Sequence, residues 1–247
     1  MKHLVRSLLA LVLALTLLAS TSVLASAEGG KSVTVGVTSP ITTLNPLLCD
    51  ATEIVKYATS LVFLPLVEMT ADNVFVPQLA QSITTEDNTH FTITLQQDAK
   101  WSDGTPVTAR DVEFTFLLLT SPECLYNWLN QNAIVGTDDY GYAPQDATSL
   151  EGVQVVDDKT LTITTKWPVS LYTFENIVGR YMFPLPEHVL GNVPRDQLLN
   201  DEWFRKPTVV SGPFFVEDYD ANHYVNYVAN ENYFQGAPKI DRLNLKV

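Results

Sequence analysis

Apolar residues run almost unbroken from Leu8 to Ala19, then scatter into short alternating or three-and-four patterns for the rest of the chain. The early run follows Lys2, His3 and Arg6 and leads to the small-residue pattern Ala25-Ser26-Ala27 just before Glu28. That order of charged start, apolar middle and small-residue end predicts a secretory signal peptide over 1–27. The run is about a dozen residues, short of the ~20 that a spanning helix needs. A lipid-anchored precursor would carry a cysteine at the cleavage point, but the first cysteine is Cys49. The expectation is an exported chain without a lipid anchor.

Further along, Val33, Val35 and Val37 alternate and end at Thr38-Ser39-Pro40, a strand entering a loop that holds Thr42, Thr43 and Asn45. Ile54, Val55, Ala58, Leu61 and Val62 recur at helical spacing over 54–67, with Pro65 as the stop. Phe91, Ile93 and Leu95 alternate with Thr92 and Thr94, as in a half-buried antiparallel strand. Asp103-Gly104 reads as a turn. Thr108 with Asp111 three residues later predicts the capped start of a helix at Ala109, with Phe114, Leu117 and Leu118 as its buried stripe. Residues 131–150 are polar and aperiodic, which predicts a long surface loop. Val153 and Val155, then Asp157-Asp158-Lys159, then Leu161 and Ile163 predict a hairpin, and 214–216 with 224–228 a further strand pair. Sheets with interspersed helices and no internal repeat make a mixed α+β chain, of the broad α/β class.

Composition narrows the choice of partners. Fifteen basic against 28 acidic residues give a net charge of −13, and the predicted leader removes Lys2 and Arg6 without removing an acid. Nucleic acid and anionic membrane surfaces are therefore poor partners. About 220 residues remain after cleavage, enough for a real apolar core. Cys49 and Cys124 lie in an export context where a disulfide persists if the backbone brings them together; two buried thiols are the alternative.

Candidate chemistry is sparse. The sequence has no nucleophile elbow, no His-Glu-x-x-His, no phosphate-binding glycine loop and no clustered Cys/His spacing. No catalytic residue, metal or cofactor is expected. His90, His188 and His223 read as surface or structural histidines. Asp138-Asp139 and Asp157-Asp158 read as solvated turn acids rather than a glycosidase pair. Trp101, Trp128, Trp167 and Trp203 fit packing better than stacking platforms for a ligand.

The stretch 100–112, Lys-Trp-Ser-Asp-Gly-Thr-Pro-Val-Thr-Ala-Arg-Asp-Val, closely resembles the signature of the extracellular solute-binding protein family 5, the peptide and nickel receptors of ABC importers. Its turn is Trp101, Ser102, Asp103, Gly104, Thr105 and Pro106. The same family is resembled, in the same order, by Pro77-Gln78-Leu79-Ala80, by Gly152-Val153 through Thr160, by Leu185-Pro186-Glu187-His188, by Ser211-Gly212-Pro213-Phe214, and by Asn232-Tyr233 through Asp241. Most of these residues also have structural reasons, being turns, caps and forced bends, so they point to a fold more than to a site.

The resemblance implies a periplasmic-binding-protein-like first lobe with an inserted subdomain. On that pattern, 28–50 plus 168–247 form the lobe core and 51–167 the insert. It further implies a second lobe, absent from this chain, that closes over the ligand across a hinge. The last residues, 243–247, look like the strand before the crossing. In peptide-binding members the acid that holds the ligand's amino terminus lies in the absent part, so the ligand stays open among peptide, nickel chelate, sugar and other solutes. Pro40, Ile41, Thr42 and Thr43, at a strand end near the hinge, are the candidate ligand wall. The expected role is the N-terminal part of the monomeric solute-binding component of an importer for oligopeptides or dipeptides, in the periplasm or on the outer face of the envelope, working with ABC permease subunits. A secreted sensor or interaction lobe is the alternative, and a secreted hydrolase a more distant one.

Overall fold

The computed structural model describes residues 30–49, 52–122, 124 and 133–247. The predicted leader, Glu28 and Trp128 lie outside the described residues. From Ser32 to Val247 the chain is one compact unit. Among the described residues no helix is long and apolar enough to cross a membrane.

Two four-stranded sheets organise this unit. One has the order β1-β10-β9-β8, built from β1 (Ser32–Gly36), β8 (Phe214–Asp220), β9 (Tyr224–Ala229) and β10 (Arg242–Lys246). Its β1 and β10 run parallel; the other pairs are antiparallel. The other sheet has the order β4-β5-β7-β6, from β4 (Ala80–Thr85), β5 (His90–Leu95), β6 (Val153–Asp157) and β7 (Thr160–Thr164), antiparallel throughout. A small hairpin, β2 (Val67–Met69) with β3 (Phe75–Pro77), stands apart from both.

Alternation in the sequence becomes two faces in the second sheet. Register places Ile83 beside Ile93, Ile93 beside Leu161, and Phe91 and Val153 beside Ile163, so these residues share the buried face. Thr92, Thr94, Thr162 and Thr164 make the half-covered one. Phe91 stacks on Phe174, with ring centres 3.9 Å apart.

Helix α1 (Glu53–Ser60) stops earlier than its periodicity predicts. The carbonyls of Leu61 and Val62, which a longer helix would use internally, accept instead from the backbone N–H groups of Phe214 (3.0 Å) and Gly212 (2.8 Å). Lys56, fully buried on α1, pairs with Glu68 of β2 at 2.5 Å and ties the helix to the hairpin. Helix α2 (Ala109–Leu119) starts as expected, with a reciprocal capping box between Thr108 and Asp111. Its buried surface is wider than the predicted stripe: Val112, Thr115, Phe116 and Leu119 are buried with Leu117 and Leu118, while Phe114 is half-buried.

The loop expected over 131–150 is not wholly surface in its described part. Ala133, Ile134, Ala143 and Leu150 are buried. Backbone bonds from Val135 N–H to Thr164 and from Lys166 N–H to Ala133 carry its start alongside β7. Short helices α3 (Leu171–Phe174), α4 (Glu187–Leu190) and α5 (Arg195–Leu198), with a π-helical turn at Glu175–Gly179, fill the stretch before β8.

The core face of the first sheet is covered unevenly. Val225 and Tyr227 of β9 are fully buried; opposite them on β10, Leu245 is buried and Leu243 half-buried. Next in register on β1, Val33 and Val35 are 41% and 42% exposed. Cover is lost across three strands of one face.

Candidate functional site

The loop after β1 leaves the sheet once the Val37 N–H has bonded to the Lys246 carbonyl (2.7 Å). Its four predicted wall residues behave differently. Ile41 is a core residue, and its carbonyl already accepts from the Tyr219 hydroxyl (3.1 Å) and the Asn222 N–H (3.2 Å). Pro40 and Thr42 are exposed and Thr43 half-buried. The Thr43 hydroxyl accepts from the Asn45 N–H at 3.0 Å. Asn45 is buried and rivets the loop: its side-chain oxygen accepts from the Leu47 N–H (2.9 Å), and its amide donates to the Leu199 carbonyl (3.0 Å).

These bonds hold open a cavity of about 180 Å³ lined by Thr42, Thr43, Asn45, Glu202, Arg205 and Tyr219 among others. Arg205 lies 3.4 Å from Glu202 and 5.8 Å from the Tyr219 ring centre. Burial raises the Tyr219 hydroxyl above its ordinary pKa, against the lowering effect of Arg205, so it stays a neutral donor. The cavity lining thus carries hydroxyls, one cation and two carboxylates, Asp201 and Glu202, among apolar side chains. Arg205 and Tyr219 carried no sequence signal, since nothing local says that 202–205 and 219 face the same loop.

A larger cavity, about 400 Å³, is lined by Trp167, Val169, Phe174, Ile177, Thr165 and Ser170 among others. Trp167 lines this cavity and is 46% exposed. Trp101 is buried, and the indole of Trp203 donates to the Thr208 hydroxyl.

The signature residues assemble elsewhere. Trp101, Ser102, Asp103, Gly104, Thr105 and Pro106 form a tight turn with Gly104 at φ 91°, where a side chain is strained. Ser102 exchanges bonds with the backbone of Val210, its N–H to the carbonyl (2.8 Å) and its hydroxyl from the N–H (3.0 Å). Ser211 accepts from the Leu64 N–H at 2.9 Å. Gly212 leaves no room for a side chain, since a Cβ there would stand 2.5 Å from the Leu61 carbonyl oxygen. Pro213 and Phe214 then lead into β8. His188 is 2.9 Å from Asp103. His90 and His223 are exposed partners of Asp87 and Asp220.

Cys49 and Cys124 are both buried, and the Cys124 sulfur is hydrogen-bonded to the Leu47 carbonyl (3.5 Å). Among the described residues no group of three or more His, Cys, Asp or Glu is placed to hold a metal ion.

Residues 74–247 match the family "Bacterial extracellular solute-binding proteins, family 5 Middle". The chain belongs to this family. A putative ABC transporter peptide-binding protein of Brucella ovis is 34% identical over 145 residues, 59% of this chain and 24% of that protein. The periplasmic oligopeptide-binding protein OppA of Escherichia coli is 27% identical over 168 residues, 66% of this chain and 30% of its own. In structure, the chain resembles the oligopeptide-binding protein AppA of Bacillus subtilis, with a TM-score of 0.73 at 24% identity, covering 88% of this chain and 40% of AppA. The murein tripeptide binding protein MppA of Escherichia coli gives 0.72 at 22% identity, over 89% and 42%. The fold is that of the periplasmic binding proteins, and the chain spans less than half the length of these relatives.

Proposed function

We propose that this chain is the N-terminal part of an exported, monomeric peptide receptor for an ABC-type importer, with 28–50 plus 168–247 as the core of its first lobe and 51–167 as an insert. The make-up of the sheets supports that reading: β1, β8, β9 and β10 come from the first two segments, and β4 to β7 from the third. Relatives named as peptide-binding proteins support the ligand class. The uncovered valines of β1 support a missing companion segment, because apolar side chains on a core face are ordinarily sealed.

The observation that carries the reading is the cavity at the end of β1, on a fold of this family, where a second lobe would close over a ligand. Such receptors act by enclosure, and a pocket that binds well buries about 70–90% of its ligand. One wall alone holds peptide weakly, at a dissociation constant of about 1 mM, if half of a −8.2 kcal/mol binding energy is lost. Calorimetry of the mature chain against di- to pentapeptides checks this; micromolar binding would mean that the whole site lies within 28–247. With a relative's second lobe supplied in the same polypeptide, replacing Thr42 and Thr43 by alanine is expected to weaken binding. Unchanged affinity would remove the loop from the wall. Intact mass of the exported protein checks the start at Glu28 and the lack of a lipid.

A further inference from the structure

We infer that four separate stretches of this chain, 99–115, 158–159, 185–188 and 208–232, form one polar lock that joins the two sheets into a single cooperative unit. Asp111 is its hub. One carboxylate oxygen accepts from the Thr108 N–H (2.8 Å), the Thr108 hydroxyl (3.2 Å) and the Trp101 indole (3.3 Å), and the other from the Glu187 N–H (2.9 Å). One turn along α2, the Thr115 hydroxyl accepts from the Leu185 N–H (2.8 Å) and donates to the Asp111 carbonyl (2.7 Å).

From this hub the lock reaches both sheets. Toward β8 and β9 it passes through Trp101 to Ser102, which bonds Val210 just before β8 and accepts from Asn232 just after β9 (3.4 Å). Toward β6 and β7, the Ala109 N–H bonds the Asp158 carbonyl (2.8 Å), and Lys159 donates to the carbonyls of Val107 (2.7 Å) and Ala99 (3.3 Å). Trp101, Ser102, Asp111, Thr115 and Ser211 are all buried. In such surroundings a polar group that loses its partner cannot turn to water, so each bond is held by the others and the contacts stand or fall together.

Amide hydrogen exchange on the full chain tests this directly. Ser102→Ala removes the acceptor of the Val210 N–H and touches nothing at Glu187 or Leu185. The lock predicts that the amides of Val210, Glu187 and Leu185 all lose protection, by about tenfold or more, in this one variant. Loss confined to Val210 would show that the contacts are independent and overturn the proposal.

Thr115→Val, close in shape, gives the same test from the other end, with Leu185 as the local amide and Val210 as the distant one. If either variant fails to fold, denaturation midpoints of the other are compared with and without Ser170→Ala, which removes the cap of α3 and its bond to the Thr173 hydroxyl, away from the lock. The exchange pattern of the surviving variant still decides: protection kept at the distant amide sinks the lock.

Discussion

The joint between the sheets and the margin of β1 are built on opposite terms. At the joint, buried polar groups are matched donor to acceptor: the Asp111 carboxylate alone takes four donors. At the margin, Val33, Val35 and Thr42 stand open, and the nearest cavity is walled by residues drawn from three distant parts of the chain. The recognisable words of this sequence sit at the joint. The residues proposed as a ligand wall sit at the margin and look ordinary. A motif that identifies a fold therefore marks where the chain tolerates least change in shape, and a binding surface can lie elsewhere.

The sharpest way to break the contrast is Gly212→Ala. Backbone of Leu61 and Val62 surrounds the missing Cβ, and backbone cannot swing aside as a long side chain does. A loss of about 3 kcal/mol in denaturant unfolding is expected. A loss under about 0.5 kcal/mol would show that the 211–214 bend adapts, and that the joint is no tighter than the margin.

Asp111 and Asp103 sharpen it next, because they belong to the same signature and respond to pH with opposite sign. Burial raises the Asp111 pKa, against the hydrogen bonds from Thr108, Glu187 and Trp101 that lower it. The folded state therefore holds that proton to higher pH than the unfolded chain, and this contribution to stability falls as pH rises above the ordinary aspartate value. For Asp103, burial also acts upward, but bonds from Thr105 and His188 outweigh it and the pKa is lowered. Its contribution is present above the ordinary value and is lost as pH falls below it.

Asp111→Asn turns an amide NH2 toward N–H and O–H donors and should cost about 1–3 kcal/mol at neutral pH. Asp103→Ala should cost less at neutral pH and flatten the acid limb of the stability curve. Measured between pH 2 and 7, changes of the same sign at both positions would contradict the opposed environments described here.

How much of this was legible follows the range of the forces involved. The cap of α2 was readable because Thr108 and Asp111 are three residues apart and solve a local problem. Strand alternation in β5 and β7 was readable because one face of one sheet is buried. The end of α1 was not, since its carbonyls are claimed by Gly212 and Phe214, about 150 residues on. The breadth of burial on α2 was hidden for the same reason. In the candidate wall, Thr42 and Thr43 were found from a strand end, whereas Arg205 and Tyr219 join them only through tertiary packing. Ile41 was placed in the wall by its position in the loop, and the structure spends its carbonyl on Tyr219 and Asn222.

The smallest expected effect tests the margin itself. Val33 and Val35 share the face of Tyr227 and Val225 yet keep about two fifths of their surface open. Replacing both by threonine keeps the β-branched shape that suits a strand and adds only a hydroxyl that water can satisfy. In this chain the unfolding free energy should change by less than about 0.5 kcal/mol. The proposed companion segment makes the opposite demand. Where it covers β1, each hydroxyl would enter an apolar contact without a partner, and the same substitutions should cost about 1 kcal/mol per site. The comparison is made by unfolding the double variant in this chain and in a chimera that continues past Val247 with a relative's remaining sequence. A cost that appears only in the chimera identifies the open face of β1 as an interior surface. Equal small costs in both would leave the valines as ordinary exposed residues and remove the uncovered face as support for a missing segment.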